Sequence, residues 1–240
     1  MKPKNALVFT TLLVLSIILL NGSHDETPIK KIIAPAINES YATMLIPAID
    51  ENGNGLATNL SVEIRAGSGR SLVDINGLFF WIDTQNSIRT AKDVAEKFTG
   101  IDTKNYDIIY SIVTDASAVE GPSAGAAIAI ATIAALENKK LRHDVMITGT
   151  INADGSIGKV SDIAQKAIAA KNSNATLFLV PIDQSTQTIS GYEKICKSYV
   201  VSELCSSQWK TTKVNVGKDA GIRVVEVKNI DGAISYMVVQ

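Results

Sequence analysis

Histidine is nearly absent from this chain: His24 and His143 are the only two among 240 residues. A Ser-His-Asp catalytic arrangement needs a histidine beside its nucleophile, and His24 stands close to the N-terminus, so we do not expect such a triad. A zinc site of the cysteine-histidine type is not expected either, because neither histidine lies near Cys196 or Cys205 in the sequence. We therefore expect no metal and no cofactor.

An excess of charge of one sign is also lacking. Lysine and arginine number 23 and aspartate and glutamate 24, which leaves a net charge of −1. With no basic block and no interleaving of basic and aromatic residues, we expect no nucleic-acid partner. The chain has no P-loop, because Ala153 stands where its first glycine belongs and Val160 follows Lys159. No ATPase module is expected.

A single long apolar run lies near the N-terminus. Residues 6–20 are apolar apart from three hydroxyl residues, and two lysines precede them. As a helix this run would cover about 22 Å, which is short of the ~30 Å hydrocarbon core and favours a signal peptide. The residues that follow lack a small-x-small cleavage site, so an uncleaved membrane anchor stays open. We predict that residues 1–24 are one or the other, that 25–40 are a tether, and that the remainder is extracytoplasmic.

The two cysteines stand nine positions apart inside a polar stretch, residues 183–218. We predict this stretch to be an insertion or a loop excursion. Outside the cytoplasm Cys196 and Cys205 could form one disulfide, and two unlinked thiols are the equally open alternative.

The rest of the chain alternates strand and helix patterns. Alternating apolar positions predict strands over 41–64, broken by a turn at 50–55. The helix that follows residue 82 has N-cap candidates at 83–87, and its apolar face is formed by Ile88, Ala91, Val94, Ala95 and Phe98. Further strands are predicted at 72–82, 106–114, 145–151, 177–181 and 222–227, and further helices at 123–136, 161–171 and from 231. This order predicts an α/β (α+β) fold with mixed sheets and packed helices, over residues 41–240.

Ser123 is the first candidate for chemistry. It follows Gly121-Pro122 and opens a nearly all-apolar, alanine-rich helix, which we expect to be buried. Unpaired N–H groups and the positive end of the helix dipole meet at such a position and can stabilise an alkoxide or an oxyanion. Serine is also a favoured helix cap, so these residues alone do not establish a nucleophile.

A serine nucleophile needs a base, and without histidine a lysine with a pKa lowered by burial is the remaining candidate. Lys159, Lys166 and Lys171 all lie in the right region. Lys166 lies at the edge of the apolar face of its predicted helix, and Lys171 lies nearer the middle of that face but at the end of the helix. Periodicity does not choose between them.

Several motifs in order resemble the Lon protease proteolytic domain. Gly-Pro-Ser-Ala-Gly at 121–125 resembles its serine motif, and Met-Ile-Thr-Gly at 146–149 resembles its M-T-G strand end. Residues 155–163 resemble its G-x-V-x-x-I-G-G segment, although Ser161-Asp162 replaces the glycine pair. Lys166 stands 43 residues after Ser123, where the family keeps its catalytic lysine. Other matching segments are 85–88, 177–181 and 224–234.

The resemblance implies roles for individual residues. Ser123 would be the nucleophile and Lys166 the general base, with Thr148 bonded to the lysine amine to orient it. The backbone N–H of Ser123 and a neighbouring N–H in the Gly121 loop would line the oxyanion hole. Glu120 stands where bacterial Lon has aspartate, and its longer side chain need not reach the same partner.

The resemblance also implies a function. Small archaeal Lon-like proteases that carry an N-terminal hydrophobic segment and no ATPase resemble this chain more than full-length Lon does. We therefore expect an ATP-independent serine endopeptidase that cleaves unfolded polypeptides near a membrane. The alternative is a Lon-like peptide-binding module with weak or no turnover, though such a module has no need to keep Ser123, Lys166 and Thr148 together. Since Lon domains form rings, a homo-oligomer is possible.

Overall fold

The fold is described from a computed structural model of the chain. It describes residues 39–74, 82–113, 121–199 and 202–239, all within the second of the two compact units of the chain, Ala36–Gln240. The predicted signal peptide or anchor and nearly all of the tether lie outside these residues. Within them, no helix combines the length and the apolar character needed to cross a bilayer. The chain has an α/β fold with several sheets and packed helices, as predicted.

The first sheet has four strands: β1 (Glu39–Ile49), β2 (Gly55–Ala66), β3 (Ser71–Val73) and β4 (Tyr106–Val113). Their order in the sheet is β1-β2-β4-β3. Their alternating side chains pack a core on one face, to which Met44, Leu60 and Ile108 belong. The predicted strands over 41–64 and the turn between them are confirmed.

Helix α1 (Ile82–Thr99) buries Ile88, Ala91, Val94 and Ala95, the face that the sequence predicts. Two boundaries differ from the prediction. Strand β3 ends at Val73, and Ile82 already belongs to the helix, so the residues predicted as N-caps lie inside its first two turns. An acidic residue is favourable throughout the first turn, near the positive end of the helix dipole. Asp83 lies in that turn, so its presence does not mark the cap position.

Helix α2 (Gly125–Leu136) is buried at all 12 positions, as its apolar composition predicts. It packs against α1 and the first sheet. The helix begins two residues later than predicted, because a 3₁₀ turn over Pro122–Ala124 precedes it. Short 3₁₀ turns are common at helix N-termini, and proline suits the first position because it lacks an N–H. Ser123 therefore lies in this turn and not in the α-helix.

The second sheet has three parallel strands, β5 (Val145–Ile147), β8 (Leu177–Pro181) and β11 (Arg223–Val227). Their order is β11-β8-β5, and the central strand β8 is buried throughout. The predicted strand 145–151 is broken at Gly149, whose φ is 153°. Its second part, β6 (Thr150–Ile151), pairs antiparallel with β7 (Ile157–Gly158) instead. The helices of this part are α3 (Ile163–Asn172), α4 (Val216–Ala220) and α5 (Ile230–Met237).

The polar stretch predicted as an excursion is a long antiparallel hairpin. Strands β9 (Thr186–Tyr199) and β10 (Ser202–Asn215) pair only with each other within the described residues, and their side chains are exposed along most of their length. The register places Cys196 opposite Cys205, and the two form a disulfide. The pairing thus decides between the two alternatives that the sequence left open.

Candidate functional site

Five segments that are distant in sequence line one cleft of about 820 Å³. They are the β1–β2 turn with Asp50 and Glu51, the start of α1 at Asp83, the loop from Gly121 to Ser123, Thr150 of β6, and residues 159–162 together with Lys166. The cleft thereby brings together the serine and the lysine that the sequence singles out. The β1–β2 turn and Asp83 are lining residues that the sequence reasoning missed, because only the tertiary packing brings them to the serine.

The backbone of Ser123 is anchored to the end of strand β5. Its carbonyl accepts a hydrogen bond from the Gly149 N–H at 2.9 Å and one from the Thr148 hydroxyl at 3.3 Å. In return, the Ala126 N–H donates to the Gly149 carbonyl at 3.0 Å. Within the described part of the chain the Ser123 hydroxyl has no hydrogen-bond partner, so it is free to act on a group bound in the cleft.

Glycines let these segments approach one another. A Cβ at Gly125 would lie 2.8 Å from the Ile151 backbone nitrogen, and one at Gly149 would lie 2.3 Å from Ile157 Cγ2. A side chain at Gly125 would push α2 away from Ile151 and would carry the Ser123 turn with it, whereas one at Gly149 would displace Ile157 of β7. Packing therefore requires glycine at the last position of the Gly-Pro-Ser-Ala-Gly motif.

Lys166 is the buried lysine among the three candidates. Its side chain is only 4% exposed, whereas Lys159 and Lys171 are exposed. Burial lowers the pKa of Lys166 from its ordinary value, and nearby Asp162 opposes this shift in part. The Lys166 Nζ donates to the Ser161 carbonyl at 3.2 Å. A lysine in this state gives up its proton more readily than a surface lysine and is suited to act as a base.

Thr148 differs from the expectation. It is fully buried beside the site, but its hydroxyl bonds the Ser123 carbonyl, and the described residues include no hydrogen bond between it and the Lys166 amine. Thr148 thus orients the serine, and the acceptor for the lysine is the Ser161 carbonyl. Backbone partners of this kind leave no residue-type signal in a sequence. Glu120 lies outside the described residues, and Gly121 enters the turn at a φ of 102°, which favours glycine.

The described residues contain one cluster of metal-ligand type, formed by Cys196, Glu203 and Cys205 on the hairpin. Both sulfur atoms belong to the disulfide, so neither can act as a thiolate ligand.

Ser123 and Lys166 both lie in a part of the chain that matches a known protein family. The Lon protease (S16) C-terminal proteolytic domain family matches residues 82–204, which include both Ser123 and Lys166. Similar curated proteins include the archaeal Lon protease of Methanothermobacter thermautotrophicus, 30% identical over 97 residues, or 40% of this chain and 15% of that protein. Lon protease 1 of Myxococcus xanthus is 34% identical over 100 residues, or 40% of this chain and 12% of that protein.

The archaeal Lon protease of Archaeoglobus fulgidus is 29% identical over 99 residues, or 41% of this chain and 16% of that protein. The alignments thus span only 12% to 16% of the length of these three relatives.

Proposed function

The chain belongs to the Lon protease (S16) C-terminal proteolytic domain family, and from this membership we propose that it is a serine endopeptidase with Ser123 as nucleophile and Lys166 as general base. The observation that carries the proposal is the shared cleft. One cavity of about 820 Å³ is lined by Ser123, whose hydroxyl has no hydrogen-bond partner among the described residues, and by the buried Lys166. Burial lowers the pKa of that lysine, and a Ser-Lys pair needs this arrangement because only the neutral amine can accept the serine proton.

In the proposed reaction the Lys166 amine takes the proton of Ser123 as Oγ attacks the carbonyl carbon of the scissile peptide bond. The N–H of Ser123 and a neighbouring N–H of the Gly121 loop would stabilise the oxyanion. The Lys166 ammonium would then protonate the leaving amine, and an acyl-enzyme ester would remain on Ser123. Water activated by Lys166 would hydrolyse this ester and regenerate the hydroxyl.

We further propose that the substrates are unfolded polypeptides and that hydrolysis needs no ATP bound by this chain. The 240 residues contain no P-loop, and an endopeptidase without an unfoldase acts on segments that are already extended. An assembly of several copies is part of this proposal, and light scattering would measure it.

The location outside the cytoplasm, with residues 1–24 as a signal peptide or a membrane anchor, stays a proposal. It is supported by the lysine-flanked apolar run and by the disulfide between Cys196 and Cys205, since such bonds persist in oxidising compartments. Mass spectrometry of the mature N-terminus would distinguish a cleaved signal peptide from an anchor.

The test of activity is the cleavage of denatured casein by the full chain without ATP, followed by gel electrophoresis. We expect cleavage by the wild type. Ser123→Ala should reduce the rate at least about 10³-fold, and Lys166→Ala by roughly 10²- to 10⁴-fold, because the nucleophile or its base is lost.

Lys171→Ala is the matched control, since Lys171 is an exposed lysine of the same helix, and its activity should equal that of the wild type. An inert wild type would favour the peptide-binding module instead. A wild type that needs ATP would contradict ATP independence. Residual wild-type rates in the Ser123 or Lys166 variants would overturn the residue assignment.

A further inference from the structure

The acceptor of the Lys166 amine lies in a segment with little support of its own. Ser161 and Asp162 are exposed residues between β7 and α3. Asp162 has a φ of 57° and its side chain does not cap α3. The Ser161 carbonyl must nevertheless stay in place to receive the Nζ bond at 3.2 Å, so something else must hold this segment.

Gln184 supplies that support. Its amide oxygen accepts from the Val160 N–H at 3.0 Å, and its amide nitrogen donates to the Val160 carbonyl at 2.7 Å. Both backbone groups of Val160 are thereby satisfied by one side chain, much as a neighbouring strand would satisfy them. Only an amide has a donor and an acceptor in this arrangement, which explains why this residue type fits here.

Gln184 follows the central strand of the second sheet, β8, and is hydrogen-bonded to its end. Strand β8 ends at Pro181, whose carbonyl accepts from the Gln184 N–H at 3.2 Å. Asp183, with a φ of 61°, turns the chain back toward Val160. Strand β8 is buried along its length and pairs with a parallel strand on each side.

The same strand also supports the serine. The Leu179 carbonyl accepts from the Thr148 N–H at 3.1 Å, and the Thr148 hydroxyl bonds the Ser123 carbonyl. Strand β8 is thus connected to the nucleophile through Leu179 and Thr148, and its end is connected to the base through Gln184, Val160 and Ser161. A displacement of either connection would change the position of one reactive group relative to the other.

We propose that Gln184 is a positioning residue for Lys166. Its two hydrogen bonds to Val160 fix the Ser161 carbonyl, which orients the lysine amine toward the cleft. The role in hydrolysis rests on the proposed function, whereas the effect on the amine itself does not. When the hydrogen bonds from Gln184 to Val160 are lost, the Ser161 carbonyl is no longer held beside the Lys166 amine. The amine then loses an acceptor that favours its ammonium form over its neutral form. The Lys166 titration should therefore move to lower pH, and the amine should be less well oriented.

The test combines the titration of the amine with kinetics, both on the full chain. Lysine labelled with ¹³C at Cε is followed by NMR across pH, and the Lys166 signal is identified by its absence in Lys166→Met. In Gln184→Ala we expect a lower titration midpoint. We also expect a kcat on an unfolded peptide about tenfold lower, with KM changed less than about twofold, since orientation and not substrate binding is lost.

Two matched controls separate this role from general stability. Gln208→Ala removes an exposed glutamine of the hairpin, and Lys171→Ala removes an exposed lysine of the helix that carries Lys166. Both should keep the wild-type midpoint and kcat. A Lys166 titration midpoint that is unchanged or higher in Gln184→Ala would contradict the positioning role of Gln184, even if the wild type is inert. A wild-type chain that cleaves nothing while Gln184→Ala shifts the titration would refute only the proposed function.

Discussion

The cleft and the β9–β10 hairpin use opposite means to hold the backbone in place. At the cleft, α2 is buried at all 12 positions, and a Cβ at Gly125 would lie 2.8 Å from a neighbouring backbone nitrogen. In the hairpin, side chains are exposed on both faces, and the strands are held by their mutual ladder, by the disulfide and by a Tyr192–Trp209 ring contact at 5.0 Å. Side-chain packing holds the backbone around the cleft, whereas strand pairing holds the backbone of the hairpin. The same substitution should therefore change stability and activity more at the cleft than in the hairpin.

Glycine-to-alanine changes give the largest contrast. Gly125→Ala should lower the free energy of unfolding by about 1–3 kcal/mol, because the added methyl group has no space and α2 or Ile151 must shift. The shift moves the Ser123 turn, so activity should fall roughly tenfold or more. Urea unfolding and peptide hydrolysis measure the two effects.

Gly191→Ala is the control in the hairpin, where a Cβ would meet no atom within 4 Å. Its free energy of unfolding should change by less than about 0.5 kcal/mol, and its activity should not change. Equal losses in the two variants would contradict the contrast between packed cleft and locally paired hairpin.

A smaller effect on stability is expected from Lys166→Met, and its size depends on pH. Because burial lowers the pKa of Lys166, the unfolded chain binds more protons than the folded chain between the lowered pKa and the ordinary value. At neutral pH the folded wild type is therefore destabilised by its buried, protonated Lys166. This destabilisation is lost as pH rises from the lowered pKa toward the ordinary value. Lys166→Met should unfold at higher urea concentration than the wild type near pH 7, and the difference should shrink toward pH 10.5.

The exposed hairpin lysine Lys213 supplies the comparison, since the stability of Lys213→Met should differ little from that of the wild type at every pH in this range. A Lys166→Met variant that is less stable than the wild type at neutral pH would show that the buried amine stabilises the fold, and it would contradict the expected cost of burying the charged lysine.

Much of the core could be predicted from the sequence because it depends on side-chain periodicity. The buried face of α1, the all-apolar α2 and the paired strands β1 and β2 follow from the spacing of apolar residues. The choice of Lys166 over Lys171 did not follow from spacing, because both lie near the apolar face. It came from the order of the family motifs, and the structure adds the burial that distinguishes the two.

What the sequence could not supply depends on backbone groups and on tertiary packing. The Ser161 carbonyl next to Lys166 and the Ser123 carbonyl next to Thr148 are the same chemical group in every residue type. Residue identity therefore carries no signal for these bonds, and the expected Thr148–Lys166 bond was inferred by resemblance alone. The β1–β2 turn and Gln184 reach the site only through contacts between segments more than 20 residues apart.

The most direct test of the Ser123–Lys166 pair is the rate at which a fluorophosphonate labels the full chain as a function of pH, with the modified residue identified by mass spectrometry. We expect labelling of Ser123 alone, at a rate that rises with pH with a midpoint below the ordinary lysine pKa of 10.5, and no labelling in Lys166→Met. Labelling of another residue, or equal labelling rates in the wild type and Lys166→Met, would contradict the Ser123–Lys166 pair.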